Sequence, residues 1–217
     1  MKAPKILALA AAAALVAPAL ASAQDRSDMW SYGAGSGKHF AVVGSFAHMD
    51  PKSDIGAVAG SQADVDGDGA ATASFSWFFN DYLALELWGA ADKFGHDVEL
   101  DGQKAATLDS QPLALSAQFH YPVNEVFSPF VGVGYHQTNY DNEEGTGALA
   151  GSRIGLSDGQ GVMGTVGVDM HVNDTWFVRT DARYLRSRSD VAVDGVQVAS
   201  DAHVDPWIYS VGIGARF

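Results

Sequence analysis

Period-two alternation is the sequence feature that most constrains how this chain can fold. From about residue 38 to the C-terminus, segments of about 10 to 14 residues alternate apolar with small or polar side chains, and turn residues separate them. Beyond the N-terminus no stretch approaches the roughly 18 consecutive apolar residues of a membrane-spanning helix, and no long segment has amphipathic helical spacing. The pattern therefore predicts the strands of a transmembrane β-barrel.

The N-terminus has the pattern of an export signal. Lys2 and Lys5 precede an apolar run of about 15 residues, which is shorter than the roughly 20 that span a bilayer, and Ala21-Ser22-Ala23 fits a cleavage site. We expect a signal peptide over 1–23, a flexible lead-in over 24–37 and a barrel over 38–217. An uncleaved membrane anchor is the alternative for the first segment.

Charge and composition exclude several classes of function. The chain has 13 basic and 26 acidic residues and a net charge of −13, which disfavours binding to nucleic acid. It has no cysteine, so it has no disulfide, no thiolate metal site and no cysteine nucleophile.

Eight alternating segments, an even number, fit a bacterial barrel with both termini on the periplasmic side. Three connections are short and four are long and acidic, as expected for periplasmic turns and extracellular loops. The long connections that contain Asp101-Gly102 and Asp194-Gly195 predict hairpin ribbons that extend beyond the membrane. The expected fold is an all-β, eight-stranded antiparallel up-and-down transmembrane barrel. The segments are 38–49, 70–79, 82–96, 110–122, 128–140, 160–172, 176–188 and 203–217.

The last segment gives the clearest assignment of faces. Alternate residues from Trp207 to Phe217 are apolar, and the residues between them are mostly small or polar. A terminal aromatic residue behind such a stripe resembles the signal that the outer-membrane assembly machinery reads, so we assign that role to Phe217. In the first segment two stripes compete, Phe40/Val42/Phe46 and Val43/Met49, and the alternation leaves its inward face open.

The complementary face lines a narrow lumen, which the up-and-down order divides by depth. Polar residues at the periplasmic end should form a paired and closed floor, because unpaired buried charge is costly. These are Glu86, Gln118, His120, Asp169, His171, Arg179, Asp181, Arg183 and Arg216. Apolar residues nearer the outside suggest a ligand pocket, although they could also simply pack the barrel. These are Met49, Trp88, Phe130, Met163, Leu185 and Ile208.

Two prolines lie in the upper parts of predicted strands. Proline lacks the N–H that a strand ladder needs, so Pro112 and Pro206 could mark a lateral opening in the wall. The alternative is that both lie above the bilayer, where a lost hydrogen bond has little effect.

Several motifs in order resemble one known family. Asp205-Pro206-Trp207-Ile208-Tyr209 and Gly214-Ala215-Arg216-Phe217 are similar to the C-terminus of OmpW-family outer-membrane proteins. Pro129 to Tyr135 with Thr138, Asp141 and Asn142 resembles the fifth strand of that family. Asn80-Asp81-Tyr82 with Leu85-Glu86-Leu87 and His96 resembles its second turn and third strand. The likeness covers most of 38–217, but Ala215 stands where the family often has an aromatic residue.

The resemblance implies a function. It implies a barrel in the Gram-negative outer membrane whose hydrophobic lumen passes small apolar molecules, with lateral exit. The alternative is a structural or receptor barrel that contacts phage, colicin or host without transport. Expected partners are outer-membrane lipid and lipopolysaccharide, the assembly machinery during biogenesis, and small hydrophobic solutes.

Three further motifs are weak. Asp64, Asp66, Asp68 and Gly69 match half of an EF-hand loop, but Phe75 occupies the position that needs a bidentate glutamate, so a weak external calcium site is the less favoured interpretation. Gly159-x-Gly161-x-x-Gly164 matches a dinucleotide fingerprint but leads into a strand rather than a helix. His120 and His171 point inward near the periplasmic end, and His136 and His203 have no evident serine partner, so we expect no catalytic residues. We also expect no cofactor and no metal.

Overall fold

The computed structural model describes residues 37–50, 57–58, 61–65, 68–100, 103–145, 154–156, 158–193 and 196–217. The predicted signal peptide and nearly all of the predicted lead-in lie outside the described residues. Within these ranges, no helix is long and apolar enough to cross a membrane.

The described residues form antiparallel strands joined by turns and bends. Their bounds are β1 Phe40–Asp50, β2 Ala57–Val58, β3 Ser61–Val65, β4 Asp68–Phe78, β5 Leu83–Ala90, β6 Phe94–Leu100, β7 Gln103–His120, β8 Phe127–Gly145, β9 Ile154–Leu156, β10 Gly159–His171, β11 Trp176–Leu185, β12 Ser187–Val193, β13 Val196–Val204 and β14 Trp207–Arg216.

Eight of these strands close into a barrel. The order around the ring is β1, β4, β5, β7, β8, β10, β11 and β14, and β14 pairs again with β1. At the point of closure, Phe40 N donates to Phe217 O and Phe217 N donates to Phe40 O, both over 2.8 Å. The predicted eight-stranded antiparallel barrel is confirmed, and its closed ladder pairs the backbone of every wall strand.

The three short turns share one local motif. Asn80 Oδ1 accepts hydrogen bonds from the backbone N–H groups two and three residues later, and Asn124 and Asn173 do the same in their turns. An asparagine side chain that bonds its own turn in this way stabilises the reversal without help from the rest of the fold. These turns join β4 to β5, β7 to β8 and β10 to β11, and because neighbouring wall strands run antiparallel, all three lie at the same end of the barrel.

The long connections continue several wall strands into ribbons. β6 pairs with the upper part of β7, and β12 pairs with β13. The Asp-Gly pairs predicted to close these ribbons lie outside the described residues. The two predicted ribbons are thus present as paired strands.

Three predicted segments are interrupted where the sequence suggested continuity. The segment predicted over 82–96 is split at residues 91–93, because four residues separate Gly89 from Phe94 while only two separate Ser110 from Leu113, to which they pair. The other breaks are at Arg186, which ends the segment predicted over 176–188, and at residues 205–206, within that predicted over 203–217. The two extra residues in this stretch form a bulge, in which Ala91 N and Asp92 N both donate to Ala71 O.

The structure also decides the orientation of β1. Phe40, Val42 and Phe46 point outward, and Phe46 is 63% exposed, whereas Val43 and Met49 are buried in the lumen. Directly paired residues on neighbouring strands face the same side of the sheet, so the pairing of β1 with β4 and β14 fixes which residues of β1 face the lumen. The outward faces of the other wall strands are likewise apolar.

Aromatic side chains mark both edges of this apolar outer face. Trp77, Phe79 and Trp176 lie at the short-turn end. Tyr184 lies eight residues beyond Trp176 along β11, and its ring centroid is 5.1 Å from that of Trp207 on β14. At about 3.3 Å per residue and a tilt of about 40°, eight residues span roughly 20 Å, which is most of the height of a lipid-facing band of about 25 Å.

We predict that the closed ladder makes the protein heat-modifiable. Unheated and boiled samples should migrate differently in a mild-detergent gel, because the barrel resists detergent until it is heated. Deletion of Phe217 removes both closing hydrogen bonds to Phe40 and should reduce the folded fraction in the outer membrane, whereas Phe217→Tyr should retain it. Identical migration of the two samples, or a normal level of the deletion variant, would contradict this expectation.

Candidate functional site: an apolar layer above a charged layer

Five buried side chains form a network of ion pairs across the lumen, which we call the charged layer. Arg179 binds both oxygens of Asp169, with Nε–Oδ1 2.6 Å and Nη2–Oδ2 2.8 Å. Arg179 Nη1 and Arg183 Nη1 each donate to one oxygen of Glu86 over 2.7 Å, and Arg183 Nε donates to Asp181 over 2.8 Å. Both guanidinium groups are 1% exposed. Each carboxylate therefore has a cationic partner in a site closed to solvent.

Strand register brings the members of the charged layer together. Asp169 and Arg179 are direct partners across β10 and β11, and Asp181 and Arg183 follow on the same face of β11. Glu86 reaches them from β5, which stands across the lumen from β11 in the strand order. The network thus connects two opposite parts of the wall across the lumen.

Aromatic rings line the charged layer from the wall. The guanidinium carbon of Arg179 lies 4.6 Å from the ring centroid of Phe130 and 5.5 Å from that of Phe177. Glycines make room for these rings, since a Cβ at Gly167 would lie 2.5 Å from Phe130 and one at Gly214 would lie 2.2 Å from Phe177. The cations are therefore held between carboxylates and aromatic faces.

The remaining residues predicted for the floor lie beside this network. His120 Nε2 and Gln118 Oε1 are 3.1 Å apart, and His120 Nδ1 is 3.8 Å from Asp169 Oδ2. Arg216 lies over the ring of Phe78 at 3.8 Å, and half-buried His171 packs beside Phe177. The nine polar residues singled out in the sequence thus lie within or beside the charged layer, and Arg183, the direct partner of Ile208 across β11 and β14, lies nearest to the apolar side chains.

Five of the six residues predicted for the ligand pocket form one buried cluster on the outer side of the charged layer. We call this cluster the apolar layer. It touches the charged layer where Arg183 lies over the ring of Trp88 at 4.7 Å. Its members are Met49, Trp88, Met163, Leu185 and Ile208, with Ala47, Ala70, Ala90, Phe94 and Ala114.

Phe130, the sixth predicted pocket residue, lies in a different place. It pairs with His120 across β7 and β8 and stacks on its ring at a centroid distance of 4.9 Å. It lies beside the charged layer rather than in the apolar layer, because it is only three residues from the start of β8 at the short-turn end. Sequence reasoning missed Phe78 and Phe177, which the alternation from outward Trp77 and Trp176 could have placed inward.

The two prolines interrupt different parts of the wall. Pro112 faces Ala90 in a hydrogen-bonding position of the β5–β7 ladder, and Gln111 Nε2 replaces the missing donor by binding Ala90 O over 3.2 Å. Leu185 N donates to Pro206 O over 3.1 Å, but Pro206 has no N–H to return to Leu185 O. We call residues 184–186 facing 205–207 the Pro206 seam. Leu185 lies in both the seam and the apolar layer.

Within the described ranges no group of three or more His, Asp or Glu side chains could hold a metal ion. Asp66 of the half-matched calcium motif lies outside those ranges. Asp68 instead caps its own strand, with Oδ1 accepting from Gly69 N and Oδ2 from Gly95 N.

We predict that Arg179→Ala lowers the free energy of unfolding by about 3–5 kcal/mol, because it leaves Asp169 and Glu86 buried without this cation. The measurement is urea unfolding in lipid vesicles, with the folded fraction read from the heat-modifiable gel shift.

The matched control is Lys93→Ala, which breaks a rim ion pair with Asp109 of 3.6 Å. Since that pair is partly exposed, its loss should cost no more than about 1 kcal/mol. Equal effects of the two substitutions would show that the charged layer is not held by its buried pairs.

We also predict that the charged layer blocks ion flow along the barrel axis. Planar-bilayer recordings of the wild type should show low or rare conductance, because paired side chains occupy the lumen. Large, stable and ion-selective openings would contradict a closed floor.

Comparison with known proteins identifies the family. A family model described as the OmpW family matches residues 36–217. Outer membrane protein W of Escherichia coli is 31% identical over 154 residues, 66% of this chain and 71% of that protein. Outer membrane protein AlkL of Ectopseudomonas oleovorans is 26% identical over 168 residues, covering 75% of this chain and 72% of that protein.

A solved structure supports the same assignment. The outer membrane protein OprG from Pseudomonas aeruginosa matches with a TM-score of 0.70 and 26% identity, over 83% of this chain and 96% of that chain. The family model, the relatives and the closed barrel agree with the resemblance that the sequence motifs suggested. The chain belongs to the OmpW family and is a β-barrel of the Gram-negative outer membrane.

Proposed function

We propose that this barrel takes small hydrophobic molecules from the outside into the apolar layer and releases them sideways into the outer membrane. The observation that carries the proposal is the order of the two layers. A solute that enters from outside meets apolar side chains first and then the ion pairs of Glu86, Arg179 and Arg183.

The axial route is unfavourable for such a solute. Passing the charged layer would require the separation of buried ion pairs, and breaking one such pair costs about 3–5 kcal/mol. A lateral route instead transfers the solute into hydrocarbon, which an apolar molecule prefers to water. The closed floor therefore favours lateral release over passage to the periplasm along the axis.

We place the exit at the Pro206 seam rather than at Pro112. Gln111 restores the hydrogen bond that Pro112 cannot make, whereas the carbonyl of Leu185 faces a residue with no donor. Leu185 also belongs to the apolar layer, so this interruption of the wall adjoins the proposed binding region.

The proposed partners follow from this route. Lipid and lipopolysaccharide surround the outward face, on which Phe46, Val133 and Ile213 are more than half exposed. The assembly machinery would act on the C-terminal strand during biogenesis. The solutes are uncharged and apolar.

Crosslinks across the wall test the exit. Tyr184 and Trp207 are direct partners next to Pro206, in a non-hydrogen-bonded pair whose Cα atoms should be about 4.5 Å apart, a spacing that a disulfide spans. The chain has no cysteine of its own. We predict that a disulfide between Tyr184→Cys and Trp207→Cys lowers uptake of a hydrophobic fluorescent probe to the level of cells lacking the protein. Cleaving that disulfide with a reductant should restore uptake.

Two further crosslinks serve as controls. Tyr135→Cys with Val162→Cys locks an uninterrupted part of the wall and should leave uptake unchanged. Gly89→Cys with Leu113→Cys locks the wall beside Pro112 and should also leave it unchanged. If only the Gly89–Leu113 lock blocks uptake, the exit lies at Pro112. If no folded variant, wild type included, exceeds cells without the protein, transport is refuted in favour of a structural or receptor role.

A further inference from the structure

One buried histidine outside both layers contacts the Pro206 seam. His136 on β8 is 1% exposed and points into the lumen, and its Nε2 lies 3.2 Å from the carbonyl oxygen of Arg186. Because a carbonyl only accepts, Nε2 carries the proton and donates. On the other side of the ring, Nδ1 lies 3.3 Å from Thr138 Oγ1, so both nitrogens have partners.

The contact crosses an intervening strand, which a glycine makes possible. Gly161 on β10 is the direct partner of His136, and a Cβ there would lie 1.8 Å from Arg186 O. Any side chain at this position would displace the carbonyl. The glycine motif that matched a dinucleotide fingerprint thus has a structural role here, since Gly161 leaves space for the Arg186 carbonyl.

The His136–Arg186 hydrogen bond lies at a place where the backbone hydrogen bonding between the wall strands is incomplete. Arg186 N donates to Val162 O over 2.9 Å, and Leu185 N donates to Pro206 O. Between β11 and β12, Arg186 is in neither strand, and the adjacent carbonyl of Leu185 faces a proline. His136 therefore supplies a donor beside the position where Pro206 removes one.

We infer that His136, oriented by Thr138, is the positioning residue that keeps the Pro206 seam closed, with Gly161 providing the space for its bond to Arg186. This inference rests on the proposed function for its link to uptake. Loss of the bond should free Arg186 and make the seam open more often.

Amide hydrogen exchange tests the inference independently of transport. In the full-length mature protein in nanodiscs, Gly161→Ala and His136→Leu should each speed exchange of the Leu185 amide by about tenfold or more, because this amide donates across the seam to Pro206 O and local opening limits its exchange. His136→Gln keeps an amide donor and should restore most of the protection.

Gly164→Ala is the matched control. Gly164 lies on the same strand, and a Cβ there would meet nothing within 4 Å, so exchange should remain as in the wild type. If Gly161→Ala folds and leaves exchange of the Leu185 amide unchanged, the inference is overturned.

Probe uptake in the same variants separates this inference from the proposed function. Faster exchange with faster uptake supports both. Faster exchange with wild-type uptake means that His136 closes a seam that is not the exit, which refutes the proposed route and leaves the closing role intact.

Discussion

The lumen depends on the buried pairing of Arg179 with Asp169 and Glu86. A charge in this position is tolerated only if its partners are present, so the strands that carry them must keep one register. The same requirement explains the wall around the network, where Gly167 and Gly214 admit the rings that flank Arg179. In the proposed function this layer closes one end of the barrel, so that an apolar solute entering from outside leaves through the wall.

Period-two alternation predicts the barrel and the faces of most strands, because a strand cannot change its buried face without breaking the alternation. It does not reveal the bulge at 91–93, since two extra residues preserve the alternation while they shift the register. It also gives depth only approximately. Phe130 resembles a pocket residue in the sequence, but its pairing with His120 places it beside the charged layer. The contact from His136 to Arg186 crosses a strand, and the sequence alone has no signal for it.

The closed floor and the weakened wall are complementary parts of the proposed function. We propose that the ion pairs disfavour an axial route, and Pro206 removes a ladder hydrogen bond beside the apolar layer. Pro112 differs because Gln111 compensates for it, so a proline in a strand does not by itself indicate an opening. We infer that His136 has the corresponding role at the Pro206 seam, through its hydrogen bond to the carbonyl of Arg186.

Methionine methyl resonances give the most direct test of where an apolar solute binds. Met49 and Met163 belong to the apolar layer, whereas Met170 is on the outward face of β10 and reports only on solute dissolved in lipid. During titration of a short alkane into the protein in bilayers, the Met49 and Met163 methyl signals should shift and saturate, while the Met170 signal should change only in proportion to the alkane in the membrane. Equal, unsaturated changes at all three methyls would contradict binding in the apolar layer above the closed floor.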